Sequence, residues 1–135
     1  MRIVLAPDKF KGSMAAAGVA DALADGILAE RPDVDAVRLP VADGGDGTVA
    51  AALAAGYAPV EVIADGPTGV PHTATYARQG DDAVVELADV CGLALLPPGG
   101  LDPLHASTFG LGQVVAHAID AGARRLLLGI GGSRR

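Results

Sequence analysis

Three segments of the chain combine glycine with hydroxyl or charged side chains in the way a small-anion or cation site requires. They are Pro7-Asp8-Lys9-Phe10-Lys11-Gly12-Ser13, Asp43-Gly44-Gly45-Asp46-Gly47-Thr48 and Gly129-Ile130-Gly131-Gly132-Ser133. Each follows a short apolar run, and the first two lead into Ala-rich sequence with helical patterning. In open α/β sheets ligands gather at the carboxyl ends of strands, where helix N-termini present free N–H groups and a partial positive charge. These loops are therefore the expected binding surface, and phosphate or carboxylate the expected ligand chemistry.

In the first loop, which contains Asp8, Lys11 is a mobile cation next to the Gly12-Ser13 helix start, a pairing suited to a carboxylate or phosphate. Ser13 also suits a plain helix N-cap, with Lys11 left to solvent. In the second loop Gly44, Gly45 and Gly47 allow close backbone approach to a ligand, and Asp43 and Asp46 flank them. Carboxylates so spaced suit Mg²⁺ completed by water, or a base for a substrate hydroxyl; the structural reading makes one of them a cap and the glycines a turn. The third loop, with Gly131, Gly132 and Ser133, has the form of a phosphate-cradling turn. No Gly-x4-Gly-Lys-Ser/Thr pattern occurs, which excludes the common P-loop, and Gly110-Leu111-Gly112 is an incomplete dinucleotide pattern read as structural. Ser107-Thr108-Phe109-Gly110 precedes a helix and suits capping more than oxyanion binding. His72, His105 and His117 show no ligand spacing among themselves or to Cys91, which argues against zinc.

The elements that must carry these loops follow from periodicity. Residues 3–6 read as a buried strand ended by Pro7, residues 13–31 as a helix with a Val19, Leu23, Ile27 stripe, residues 34–39 as a second strand, and the residues after Thr48 as a helix closed by Gly56. After Pro59 the pattern changes. Val60, Val62, Thr73, Thr75, Val84 and Val85 mark short strands separated by Asp65-Gly66-Pro67-Thr68-Gly69 and Gly80-Asp81-Asp82, which predicts an antiparallel meander. Residues 95–103 read as a loop, residues 112–121 as a helix with Val114, Val115 and Ile119 on one side, and residues 125–130 as an apolar strand. The fold class is α/β: an incomplete parallel-sheet βαβ domain over residues 1–58, then the start of a second α/β domain with antiparallel strands over residues 59–135.

Composition narrows the function further. Sixteen Asp+Glu against ten Lys+Arg give a net charge of -6, which argues against nucleic-acid binding. Aromatic residues are only 3% of the 135, so the core must be Ala, Val, Leu and Ile, as suits helices packed on a sheet. The lone Cys91 fits a reducing cytosol, and the absence of any long apolar run predicts a soluble, cytoplasmic protein with no membrane association.

The order of the motifs resembles the glycerate kinase family. The family's Ala-Pro-Asp-Ser-Phe-Lys-Gly-Ser is matched by Ala6-Pro7-Asp8-Lys9-Phe10-Lys11-Gly12-Ser13, with Lys9 the departure; its Pro-Val-Ala-Asp-Gly-Gly-Glu-Gly-Thr is matched by residues Pro40 to Thr48, with Asp46 in place of Glu. Asp65-Gly66-Pro67-Thr68-Gly69, Ser107-Thr108-Phe109-Gly110 and Gly129-Ile130-Gly131-Gly132-Ser133 follow in the family's order. The resemblance implies a two-domain α/β enzyme, one domain inserted in the other, that uses ATP and Mg²⁺ to phosphorylate a hydroxyl of D-glycerate. By the same resemblance Lys11 and the Gly12-Ser13 amides neutralise phosphate or the glycerate carboxylate. Asp43 orients or deprotonates the hydroxyl, Asp46 helps place the metal, and Ser107, Thr108, Gly131, Gly132 and Ser133 add donors. Where the family continues into Ala-Thr-Asn-Asp-Gly-Gly and a long second half, this sequence reads Arg134-Arg135. The expectation is therefore an amino-terminal part with little activity alone. Such a part would be completed by a carboxy-terminal chain or held as a homo-oligomer, with its first sheet and its 126–130 strand left unpartnered and prone to association. The rival reading is a non-catalytic remnant or half of a split enzyme that only binds ligand.

Overall fold

A computed structural model of the chain describes residues 1–10 and 13–131, so the candidate residues Lys11, Gly12, Gly132 and Ser133 lie outside the described residues. The chain divides into two compact units, Met1–Asp43 and Gly44–Arg135.

In the first unit, strand β1 (Arg2–Leu5), helix α1 (Ala16–Glu30) and strand β2 (Asp35–Arg38) form a βαβ unit whose strands pair in parallel, Arg2 opposite Asp35 and Leu5 opposite Arg38. Arg2 and Asp35 add an exposed ion pair at 2.7 Å across the register. The helix starts later than Ser13. Its N-cap is Ala15, without a side-chain cap, while the Ser13 hydroxyl donates to the Phe10 carbonyl at 3.2 Å and closes a turn ahead of it. Its buried face is Val19, Ala20 and Ala24, and Leu23 is 48% exposed. The expected Val19, Leu23, Ile27 stripe holds only in part: Val19 is buried and Ile27 half-buried, whereas the two alanines take the place expected of Leu23.

In the second unit, helix α2 (Thr48–Ala54) precedes strands β3 (Ala58–Asp65), β4 (Pro71–Gln79) and β5 (Asp82–Glu86), then helices α3 (Leu87–Cys91) and α4 (Phe109–Asp120) and strand β6 (Arg125–Gly129). The sheet order is β3-β4-β5-β6, antiparallel at the first two pairings and parallel at the last. This is the expected meander with a βαβ crossover attached. The 126–130 strand is not left unpartnered: β6 pairs with β5, and only its outer side is open among the described residues. Gly69 and Gly80 supply the positive φ, 79° and 57°, that the two connecting turns need.

The pleat explains why β5 reads as a continuous apolar run. Ala83 and Val85 face a core with Tyr76, Val90, Val114 and Ala118, whereas Val84 and Ala77 face the opposite side with Val49 of α2. With both faces of the sheet covered, alternation vanishes from the sequence. Helix α2 packs on this second face, and the compact unit accordingly takes in residues from Gly44 onward. Within α4, Val114 and Ala118 are buried while Ile119, expected on the same side, is 52% exposed.

Candidate functional site

Parallel pairing sets the carboxyl ends of β5 and β6 side by side, with Glu86 opposite Gly129. Beyond that pair the Gly131 N–H donates to the Gly44 carbonyl at 2.7 Å. A Cβ at Gly129 would lie 2.8 Å from the Gly44 oxygen, and one at Gly131 would lie 2.8 Å from the Gly45 nitrogen. The second and third glycine loops therefore meet backbone against backbone, and glycine is required there for contact distance. Gly44 and Gly47 also hold φ of 88° and 100°, a left-handed conformation that side chains resist.

Beneath this contact lies Glu86, a buried carboxylate at 5% exposure. Its Oε1 accepts from the Gly47 N–H at 3.1 Å and its Oε2 from the Val49 N–H at 2.9 Å. The Thr48 hydroxyl and N–H both turn back onto the Gly45 carbonyl, at 2.7 and 3.2 Å. The amides of Gly47, Thr48 and Val49 at the start of α2 are thus occupied from within the protein. What the loop presents outward is carboxylate, since Asp43 and Asp46 are both exposed whereas Gly45 is buried. Glu86 was not among the residues singled out by sequence. Its one signal was a charge inside the otherwise apolar run of residues 83–88.

In the first unit, the segment after β2 continues alongside the segment after β1: the Leu39 N–H donates to the Leu5 carbonyl at 2.8 Å and the Val41 N–H to the Pro7 carbonyl at 3.0 Å. Asp8 is half-buried and accepts from the Lys9 N–H at 2.7 Å. The ladder thus brings the 7–8 and 41–43 segments to the carboxyl ends of the parallel pair, and Asp43 is joined directly to Gly44. Ser13 is exposed and tied to Phe10.

Ser107 and Thr108 belong to another cluster. The Ser107 hydroxyl accepts from the Phe109 N–H at 3.1 Å just ahead of α4, whose N-cap is Thr108, and the Ser107 N–H donates to the Pro67 carbonyl at 2.9 Å. A Cβ at Gly110 would overlap the Asp65 carbonyl. The Gln113 side chain accepts from the Asp65 N–H at 2.7 Å, fixing the same junction. The partners of Ser107 therefore lie in the 65–69 turn and α4 itself, not in the glycine loops.

The histidines go separate ways: His72 to the Val90 carbonyl at 2.9 Å, His105 to Asp102 at 2.8 Å and His117 to the Tyr76 hydroxyl at 3.3 Å. Burial pushes the Cys91 thiol above its usual range.

A family model described as the glycerate kinase family matches residues 3–134. The chain is 43% identical over 136 residues to a glycerate kinase of Bacillus subtilis (strain 168) and 40% identical over 136 residues to a glycerate 2-kinase of Escherichia coli (strain K12). Each match covers 98% of this chain and 36% of the relative. The crystal structure of a Salmonella typhimurium LT2 protein assigned as glycerate kinase 2 superposes with a TM-score of 0.84 at 42% identity, over 98% of this chain and 36% of that one. The chain thus spans about a third of the length of the curated relatives it matches.

Proposed function

The chain belongs to the glycerate kinase family, and from that premise we propose that its loops form part of the site of an enzyme transferring the terminal phosphoryl group of ATP to a hydroxyl of D-glycerate. The observation that carries this reading is the contact of Gly44 and Gly45 with Gly129 and Gly131 at the carboxyl ends of β5 and β6, in the segment whose sequence carries Asp43 and Asp46.

Phosphoryl transfer asks for in-line positioning and charge stabilisation more than for covalent chemistry. Asp43 would accept a hydrogen bond from the attacking hydroxyl, orienting it and taking its proton as the bond to phosphorus forms. Lys11 with the Gly12-Ser13 amides, and Gly131, Gly132 and Ser133, would hold the anionic groups of nucleotide and glycerate. Asp8 would orient the first loop through its bond to the Lys9 amide. Ser107, engaged at the 65–69 turn, would act through that turn, and Thr108 beside it would add a donor.

No group of three or more His, Cys, Asp or Glu side chains able to hold a metal forms among the described residues. Mg²⁺ needs no such cluster, because it keeps waters and uses one or two carboxylates with substrate phosphates. Asp46 fits that role; bound there, the ion would neutralise phosphate charge.

In the longer enzyme, residues 1–58 and 59–135 would contribute to two domains. The match covers 36% of each relative, so in them the cleft would draw on further residues; for this chain a complementing chain or a second copy would be the partner to look for. No helix among the described residues is long and apolar enough to cross a membrane. A cytoplasmic location fits the single free thiol.

The test replaces the matching segment of the Bacillus subtilis relative with this chain and assays ATP-dependent phosphorylation of D-glycerate against other hydroxy acids. D-glycerate should be preferred, and Asp43→Ala should lower kcat about 10²-fold or more. Equal turnover of unrelated hydroxy acids, or none of D-glycerate, would rule the substrate out; undiminished turnover in Asp43→Ala would remove its role. The 135-residue chain alone should show no turnover.

A further inference from the structure

Glu86 is the one buried carboxylate described in the chain, and both its oxygens are spent on the loop that carries Asp43 and Asp46. A charge is not buried on a strand end without compensation, since an isolated carboxylate in the interior costs several kcal/mol. The compensation here is specific: two N–H donors, at Gly47 and Val49, from the first turn of a helix too short to be stable by itself. Both donors lie 37 to 39 residues away in sequence, so the bonds fix a long-range relation. Glu86 also stands opposite Gly129 in the β5–β6 ladder, directly before the segment whose Gly131 N–H holds the Gly44 carbonyl. One side chain thus ties the loop from below while the glycine contact ties it from the side.

We propose that Glu86 is a positioning residue for phosphoryl transfer, fixing residues 44–48 so that the flanking carboxylates meet the substrate hydroxyl and the metal at a set distance. The inference rests on the kinase reading of the same site. Two bidentate-like anchors on alternate amides resist rotation of the loop about its strand. A single neutral acceptor does not, because an amide side chain can satisfy only one of the two N–H groups and turns an N–H donor toward the other. A misplacement of ~1 Å at a reacting group costs on the order of 10²-fold in rate. The loss should therefore fall on turnover rather than on nucleotide binding.

The experiment uses the full-length chimera described above, with kinetic constants expressed per folded molecule. Glu86→Gln should lower kcat at least 10-fold with KM for ATP changed less than threefold, and Glu86→Asp should recover part of that loss. Gly131→Ala, which pushes on Gly45 from the other side, should give the same kcat-weighted signature without touching Glu86. In the 135-residue chain, amide exchange at Gly47 and Val49 should be slow and should accelerate at least 10-fold in Glu86→Gln. A Glu86→Gln enzyme with unchanged kcat per folded molecule, or a loss confined to KM or to the folded fraction, overturns the proposal. So does unaltered exchange at Gly47 and Val49. If the parent chimera itself does not phosphorylate D-glycerate, the kinase reading falls, and the exchange measurement still decides whether Glu86 holds the loop.

Discussion

At single residues, what decides the fold is often the space a side chain would need. Gly110 is the clearest position: a Cβ there would collide with the Asp65 carbonyl, so the start of α4 and the end of β3 can approach only with glycine between them. Gly110→Ala should destabilise the chain by about 3 kcal/mol, because backbone on both sides leaves nothing flexible to yield; a midpoint of urea unfolding within error of the parent would contradict this. Gly112, two residues on, meets nothing within 4 Å and is the control. The sequence pattern around these residues suggested a structural role, but not which backbone Gly110 approaches. Cys91 behaves by the same local logic. Its thiol is pushed up chiefly by desolvation, so less thiolate is present at pH 8 than for a free cysteine. Alkylation by iodoacetamide at pH 8 should be slower than in the urea-unfolded chain. The sign for stability follows: a raised folded-state value contributes stability that is complete below the ordinary thiol range and lost as pH rises through the folded value. Faster alkylation in the folded chain would reverse both statements.

At the level of elements, burial follows rotation about each axis more than the identity of the apolar residue. On α4 the fully buried positions are Val114 and Ala118, four residues apart, while Ile119 is turned one residue further and is mostly exposed. Val114→Ala should therefore cost about 2 kcal/mol, and Ile119→Ala less than about 0.5 kcal/mol despite removing more carbon. Comparable losses in parallel thermal denaturation would show that the face is wrongly placed. This difference also shows what the sequence could and could not convey. The strands and their order were legible, because β-branched runs and Gly-containing turns act over neighbouring residues. Helix faces were misjudged at Leu23 and Ile119, both largely exposed, and α3 went unseen because five residues are too few to display a helical period. Within the site, the glycine loops stood out by composition. Glu86 did not, because its meaning lies in two amides supplied by a distant segment.

For the molecule as a whole, the two edges of the larger sheet are protected unequally. The outer strand β3 carries Pro59, which cannot donate to a new ladder, and the exposed charge of Glu61. At the other edge, β6 exposes Leu127 at 61% and Leu128 at 44%, followed by Ile130 at 72%. Its one charge, Arg125, is engaged with Asp82 of β5. A flat apolar strand with an open outer side is a template for pairing. Opposing it is the net charge of -6, whose repulsion acts over about 10 Å at 0.1 M salt and about 3 Å at 1 M. Association of the 135-residue chain should therefore rise both with protein concentration and with salt. Leu127→Lys, which puts an uncompensated cation in the middle of the edge, should return it to monomer in both conditions, whereas a lysine at Ile63 on β3 should not. Sedimentation velocity at low and high salt measures this directly. A parent chain that stays monomeric at high salt, or an association indifferent to Leu127→Lys, would mean that the β6 edge is not the surface that pairs.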